Sequence, residues 1–202
     1  MNIVVFASGR GSNFKAIVEN IEAGTLRNVN VSLLLSDKPE AQALVYAKEK
    51  GIAAQCVNPK TFENKLLYEE ALLQEIQKVS CDLIVLAGYM KVLGEAFLNN
   101  VGCPVVNIHP SLLPSFTGLH AQKQAIDYGV KVSGCTVHFV DYFLDHGPII
   151  AQVAVPVLED DDEESLSARI LVQEHQLYSA CLQQLADDAL IIENRRVKNK
   201  VK

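Results

Sequence analysis

Ile3-Val4-Val5-Phe6-Ala7-Ser8-Gly9-Arg10-Gly11-Ser12-Asn13-Phe14 runs from a strand through a glycine-rich turn into a helix. Residues 3–7 form an unbroken apolar, β-favouring run. Such a run suits a strand covered on both faces, the kind found in parallel sheets. Phe14, Ile17, Val18 and Ile21 then recur at helical spacing, and Gly24 stops the helix. Strand, glycine turn and helix N-terminus together expose backbone N–H groups that bind an anion, usually a phosphate. A dinucleotide fingerprint would need a third glycine where Phe14 stands, and no Walker GKS or GKT signature is present. Ser12 and Asn13 add short donors, which fits a monophosphate better than a pyrophosphate. The simpler reading is a turn that closes a βα corner, since glycine is also the default turn residue.

The same unit repeats outward. Residues 29–35, 54–57, 83–87 and 104–109 read as strands. Helical patterns over residues 41–50, 61–79 and 95–99 alternate with them. This spacing predicts right-handed βαβ crossovers. After a helix over residues 120–128, two alternating runs at 132–140 and 149–157 read as an antiparallel pair. The fold class is therefore α/β: a mostly parallel, doubly wound, Rossmann-like sheet with an antiparallel C-terminal strand addition. A long C-terminal helix over about residues 165–188 completes it. The six acidic residues from Glu159 to Glu164 precede that helix and suit its dipole. One domain is expected over residues 1–190, followed by a basic, disordered tail at 191–202.

Composition narrows the function. At 202 residues, 49% apolar, the chain can bury a sizeable core. A formal charge of -6 argues against general nucleic-acid affinity. Five widely spaced cysteines without a CxxC pair read as reduced thiols, with neither a disulfide frame nor a metal site. No secretory leader and no run long enough for a membrane span is present. The expectation is a cytoplasmic protein with small-molecule partners, no membrane and no metal, as a monomer or homodimer.

Chemistry gathers at strand ends, where ligands bind in open α/β sheets. Asn107 and His109 lie two apart on one strand and so face the same side, and Pro110 ends the ladder. Met90, Val92 and Leu93 follow another strand and could line an apolar slot or simply anchor their loop. Asp145 precedes the rigid turn Gly147-Pro148. An amide, an imidazole and a carboxylate can share acyl transfer: Asn107 stabilises an oxyanion, His109 moves the proton and Asp145 orients the ring. GxSxG is absent, which favours direct transfer over a covalent intermediate.

Four segments stand in the order and spacing of the folate-dependent formyltransferases. They are Gly9-Arg10-Gly11-Ser12-Asn13, Ala87-Gly88-Tyr89-Met90, Asn107-Ile108-His109 through Pro114, and Leu144-Asp145-His146-Gly147-Pro148. The chain resembles that family from Met1 to about Ala186, most of all its members that formylate glycinamide ribonucleotide in de novo purine synthesis. The resemblance implies 10-formyltetrahydrofolate as co-substrate and Asn107, His109 and Asp145 as the catalytic trio. It implies that Gly11, Ser12, Asn13 and Glu174 bind the ribonucleotide. Folate binding falls to Lys65, Met90, Lys91, Val92, Leu93, Asn107 and the loop Asp141, Tyr142, Phe143, Leu144 and Asp145. Lys65 and Lys91 stand where arginine is familiar, and lysine lacks the bidentate fork. Leu171 replaces a polar contact of some relatives, and Thr117 replaces a proline. Methionyl-tRNA formyltransferases add a C-terminal domain and basic surface, and deformylases add an N-terminal domain, so length and charge favour the purine branch over both. A catalytically silent nucleotide-binding module is the rival from another class.

Overall fold

The computed structural model describes residues 1–200. It divides into two compact units, Met1–Val106 and the chain from Asn107 onward, inside what the sequence reads as one domain.

In the first unit the order of elements is β1 (Asn2–Phe6), α1 (Ser12–Glu22), β2 (Asn30–Ser36), α2 (Gln42–Glu49), β3 (Ala54–Cys56), α3 (Lys65–Ile76), β4 (Leu83–Leu86) and α4 (Glu95–Asn100), with β5 (Val105–His109) running on into the second unit. The strands are ordered β3-β2-β1-β4-β5. β1 pairs in parallel with β2 and β4, and β2 with β3. Ile3 to Phe6 and Leu83 to Leu86 are all buried, as continuous apolar runs require of central parallel strands. Phe6 anchors the core, meeting Tyr89 edge-on at 5.0 Å and Phe97 at 6.3 Å. Helix α3 starts later than its periodicity predicts. Asn58 caps a 3-10 turn at Pro59–Thr61, and Asn64 then accepts the Leu67 N–H at 3.0 Å and opens the helix afresh.

The second unit continues with α5 (Ala121–Tyr128), β6 (Val132–Phe139), β7 (Ile149–Pro156), α6 (Glu163–Ala186), β8 (Leu190–Glu193) and β9 (Arg196–Asn199). Its strand order is β5-β6-β7-β9-β8, with β6–β7 and β8–β9 antiparallel. The antiparallel addition and the 24-residue final helix match the expected class. Ala125, Cys135, Val155, Leu166 and Ile170 form a buried cluster here. The acidic run has a structural use: Asp162 and Ser165 form a reciprocal capping box, while Asp161 holds Arg169 through two contacts of 2.6 and 2.8 Å. That guanidinium keeps the Asp161 carboxyl well below the usual carboxylate range.

The expected disordered tail is corrected for the described residues. β8 and β9 form a hairpin in which Glu193 faces Arg196 across a two-residue turn, with Asn194 at φ 56. An asparagine entering such a turn tolerates the left-handed conformation, and β9 also pairs with β7 at Ile149–Arg196. Residues 201–202 of that expectation lie outside the described residues.

Candidate active site

In the first unit, β1 delivers the chain into the turn before α1. Gly11 caps α1 at φ 70, and a Cβ there would stand 2.7 Å from the Ala43 Cβ. Both the left-handed backbone and the close approach therefore require glycine. No side chain caps this end of α1, and no acidic residue occupies its first turn. Gly11, Ser12 and Asn13 thus present the positive end of a three-turn helix, a surface fit for an anion.

The loop after β4 is held from three directions. Ser8 Oγ accepts the Met90 N–H at 2.8 Å, and Glu69 on α3 accepts the Gly94 N–H at 2.7 Å. The Tyr68 and Tyr89 hydroxyls meet in a buried hydrogen bond. Burial pushes the Tyr68 phenol up to about 12 despite that bond, and the Tyr89 phenol upward as well. Between these anchors Met90 and Val92 are exposed apolar side chains, Lys91 is exposed and Leu93 is buried. Lys65 pairs with Glu69 at 3.5 Å while its own side chain stays 55% exposed.

In the second unit, β5 ends on Asn107 and His109, and the loop beyond it is tightly fixed. Thr136 on β6 donates to the Ser111 carbonyl at 2.7 Å and accepts the Leu113 N–H at 3.1 Å. Ser111 in turn donates to the Ser115 carbonyl, and the Leu113–Pro114 peptide is cis. Gln124 on α5 holds the carbonyls of Thr117 and Leu119 at 3.0 and 2.9 Å. Thr117, where the family pattern has proline, is thereby tied by its backbone.

Asn107, His109 and Asp145 come together. His109 Nδ1 lies 3.5 Å from Asp145 Oδ2, and its Nε2 lies 2.8 Å from the Phe116 carbonyl. Asp145, at φ 50, also accepts the Gly118 N–H at 2.7 Å, so backbone and imidazole share one carboxylate. His109 and Asp145 are both nearly buried, which makes their contact stronger than the same pair in water.

A fourth member escaped the sequence reading. His138, 2% exposed on β6, sets its Nε2 3.2 Å from Asn107 Nδ2 and 4.0 Å from Asp145 Oδ1. Its Nδ1 faces the Phe139 carbonyl at 2.8 Å. Burial lowers the His138 pKa against the smaller upward pulls of that carbonyl and of Asp145. The neutral ring has one consistent arrangement: Nδ1–H donates to Phe139, and Nε2 accepts from the Asn107 amide. The available signal was alternation, which puts His138 on the face of Thr136, but nothing in the sequence pairs it with Asn107.

The loop after β6 offers Tyr142, Phe143 and Leu144 as exposed apolar side chains. Asp141 shapes it by accepting the Phe143 N–H at 3.0 Å and pairing with His146 at 2.9 Å. Gly147 closes it, since a Cβ there would lie 1.9 Å from the Phe139 carbonyl oxygen. Glu174 is buried on α6 in this unit. Gly11 to Asn13, Lys65 and Met90 to Leu93 belong to the first unit and the remaining expected site residues to the second.

The family model described as "Formyl transferase" matches residues 1–182. Phosphoribosylglycinamide formyltransferase of Bacillus subtilis is 43% identical over 181 residues, 90% of this chain and 92% of that protein. The Escherichia coli protein of the same name is 39% identical, covering 94% of this chain and 89% of that one. The crystal structure of glycinamide ribonucleotide transformylase 1 from Symbiobacterium toebii superposes with a TM-score of 0.95 at 42% identity, over 98% of this chain and 93% of that one. With the family model spanning both the glycine turn and the Asn107–Asp145 cluster, the chain belongs to the formyl transferase family.

Proposed function

We propose that this protein transfers a formyl group from 10-formyltetrahydrofolate to the amine of glycinamide ribonucleotide in de novo purine synthesis. Residues 1–190 act as one formyltransferase domain, in the cytoplasm, on small-molecule partners and without a metal. The observation that carries this reading is the cluster of Asn107, His109, His138 and Asp145 at the end of β5. The relatives named for that acceptor supply its chemical context.

The acceptor amine attacks the formyl carbon, and the carbonyl oxygen gains negative charge. Asn107 commits one amide hydrogen to His138 and offers the other to that oxygen. His109, whose Nε2 must leave the Phe116 carbonyl to do so, takes the proton lost by the amine and returns it to the departing donor nitrogen, with Asp145 fixing its orientation at Nδ1. No covalent enzyme intermediate is needed. Gly11, Ser12 and Asn13 receive the phosphate, and Glu174 receives the ribose hydroxyls. Met90 to Leu93 and Asp141 to Asp145 hold the pterin largely through backbone groups, with the lysine of Lys65 toward the acidic folate tail.

The test offers purified protein 10-formyltetrahydrofolate with glycinamide ribonucleotide, water or charged tRNA as acceptor. Turnover should require the ribonucleotide, and His109→Ala should lower kcat about 10²–10⁴-fold without unfolding the chain. Formyl release to water alone would replace this reading with a hydrolase. Full activity in His109→Ala would remove the proton-transfer role.

A further inference from the structure

Two cysteines far from any assigned chemistry stand together in the first unit. Cys81 lies two residues before β4 and Cys103 two residues before β5, and β4 and β5 are neighbours in the sheet. Their sulfurs are 3.5 Å apart, and Ile84 N–H bonds to the Pro104 carbonyl at 3.0 Å beside them. Both side chains are partly exposed, so a small reagent can reach them. A disulfide needs the sulfurs at about 2.0 Å, a closure that side-chain rotation can supply when the backbones already lie side by side. Among the described residues no group of three or more His, Cys, Asp or Glu forms a metal set, so the pair is a dithiol and not part of a larger cage.

We infer that Cys81 and Cys103 form a two-electron thiol–disulfide couple that takes a small-molecule disulfide as its oxidant. The thiolate of one cysteine attacks one sulfur of the oxidant, forms a mixed disulfide and expels one thiol. The other cysteine, losing its proton to solvent, then attacks that protein sulfur and expels the second thiol. The protein loses two hydrogens and the oxidant leaves as two reduced thiols. The local chemistry supports this step, because the S–H of either cysteine can donate to the sulfur of the other and so favour a thiolate within the pair. The remaining thiols are poor competitors. Burial pushes Cys135 and Cys181 up to about 12, and desolvation raises Cys56.

The experiment equilibrates the whole native protein in glutathione–glutathione disulfide buffers, traps free thiols by alkylation, and maps peptides by mass. The expected result is loss of two of the five titratable thiols as a single species joining Cys81 to Cys103. Cys81→Ser and Cys103→Ser should each stop short of the bond, retaining one glutathione on the cysteine that remains. The oxidised protein should keep its fold and show an upward shift in its urea midpoint, since a clamp between neighbouring strand starts restricts the unfolded chain. Glutathione on both cysteines without a bond, a bond between another pair, no thiol loss, or a lowered urea midpoint would each overturn the inference.

Discussion

His138 shows how one buried ring can fix the polarity of a neighbour. An amide can offer either its oxygen or its nitrogen, and the two ends do opposite work at a developing oxyanion. The Phe139 carbonyl takes the one N–H of neutral His138, which leaves only a lone pair to face Asn107. His138→Phe should keep the volume and remove the acceptor, lowering kcat about 10-fold or more with little change in either KM. Full kcat in that variant would show that Asn107 orients itself. Burial also gives His138 a signature in stability. Its folded pKa lies below the ordinary value near 6.5, so within that window the unfolded chain binds a proton that the folded chain refuses. The His138 contribution is complete above about pH 6.5 and is lost as pH falls through the window toward the folded value. Urea midpoints from pH 5 to 8 should therefore fall less steeply on the acid side in His138→Gln than in the parent, and equal slopes would count against a neutral ring. Sequence alone could place Asn107 and His109 on one face, because two residues apart on a strand is a local rule. It could not bring His138 to Asn107, because register across strands 31 residues apart is set by packing.

At the scale of elements, glycines and caps decide where loops can go. Gly134 on β6 lies so close to β7 that a Cβ would stand 2.0 Å from the Val153 oxygen and 2.8 Å from Leu112. Gly134→Ala must push β7 or the loop after β5 aside, and should cost about 3 kcal/mol in urea unfolding. A change under about 1 kcal/mol would mean the strands yield freely. The loop after β4 depends on α3 in a different way. Glu69→Ala leaves the Gly94 N–H without its acceptor and Lys65 without its partner. The lost hydrogen bond costs about 1–2 kcal/mol. Under the proposed function this should raise the KM for the folate more than that for the ribonucleotide, and equal rises would detach the loop from donor binding. The buried runs of β1 and β4 were plain in the sequence because a strand covered on both faces needs no alternation. The start of α3 was not, since Asn64 interrupts a continuous helical pattern with a cap. The β8–β9 hairpin was not legible, because the basic charges around it pointed to a disordered tail.

For the molecule as a whole, the groups proposed to move protons and steady the oxyanion all come from the chain beyond Val106. The proposed phosphate turn comes from the chain before it. Damage to the turn should then leave the proton chemistry alone. Asn13→Ala should raise the KM for the ribonucleotide several-fold while the folate KM holds, and a matching rise in both would refute the phosphate assignment. The fixed amide of Asn107 carries one more consequence. Under the proposed direct transfer, attack converts the flat formyl carbon into a centre bearing hydrogen, oxygen and two different nitrogens, and that centre is chiral. With Nδ2 committed to His138, its remaining hydrogen points in one direction only. Under the proposed function the oxyanion is then held from one fixed direction, and of two mirror-image tetrahedral mimics the protein should bind one more tightly.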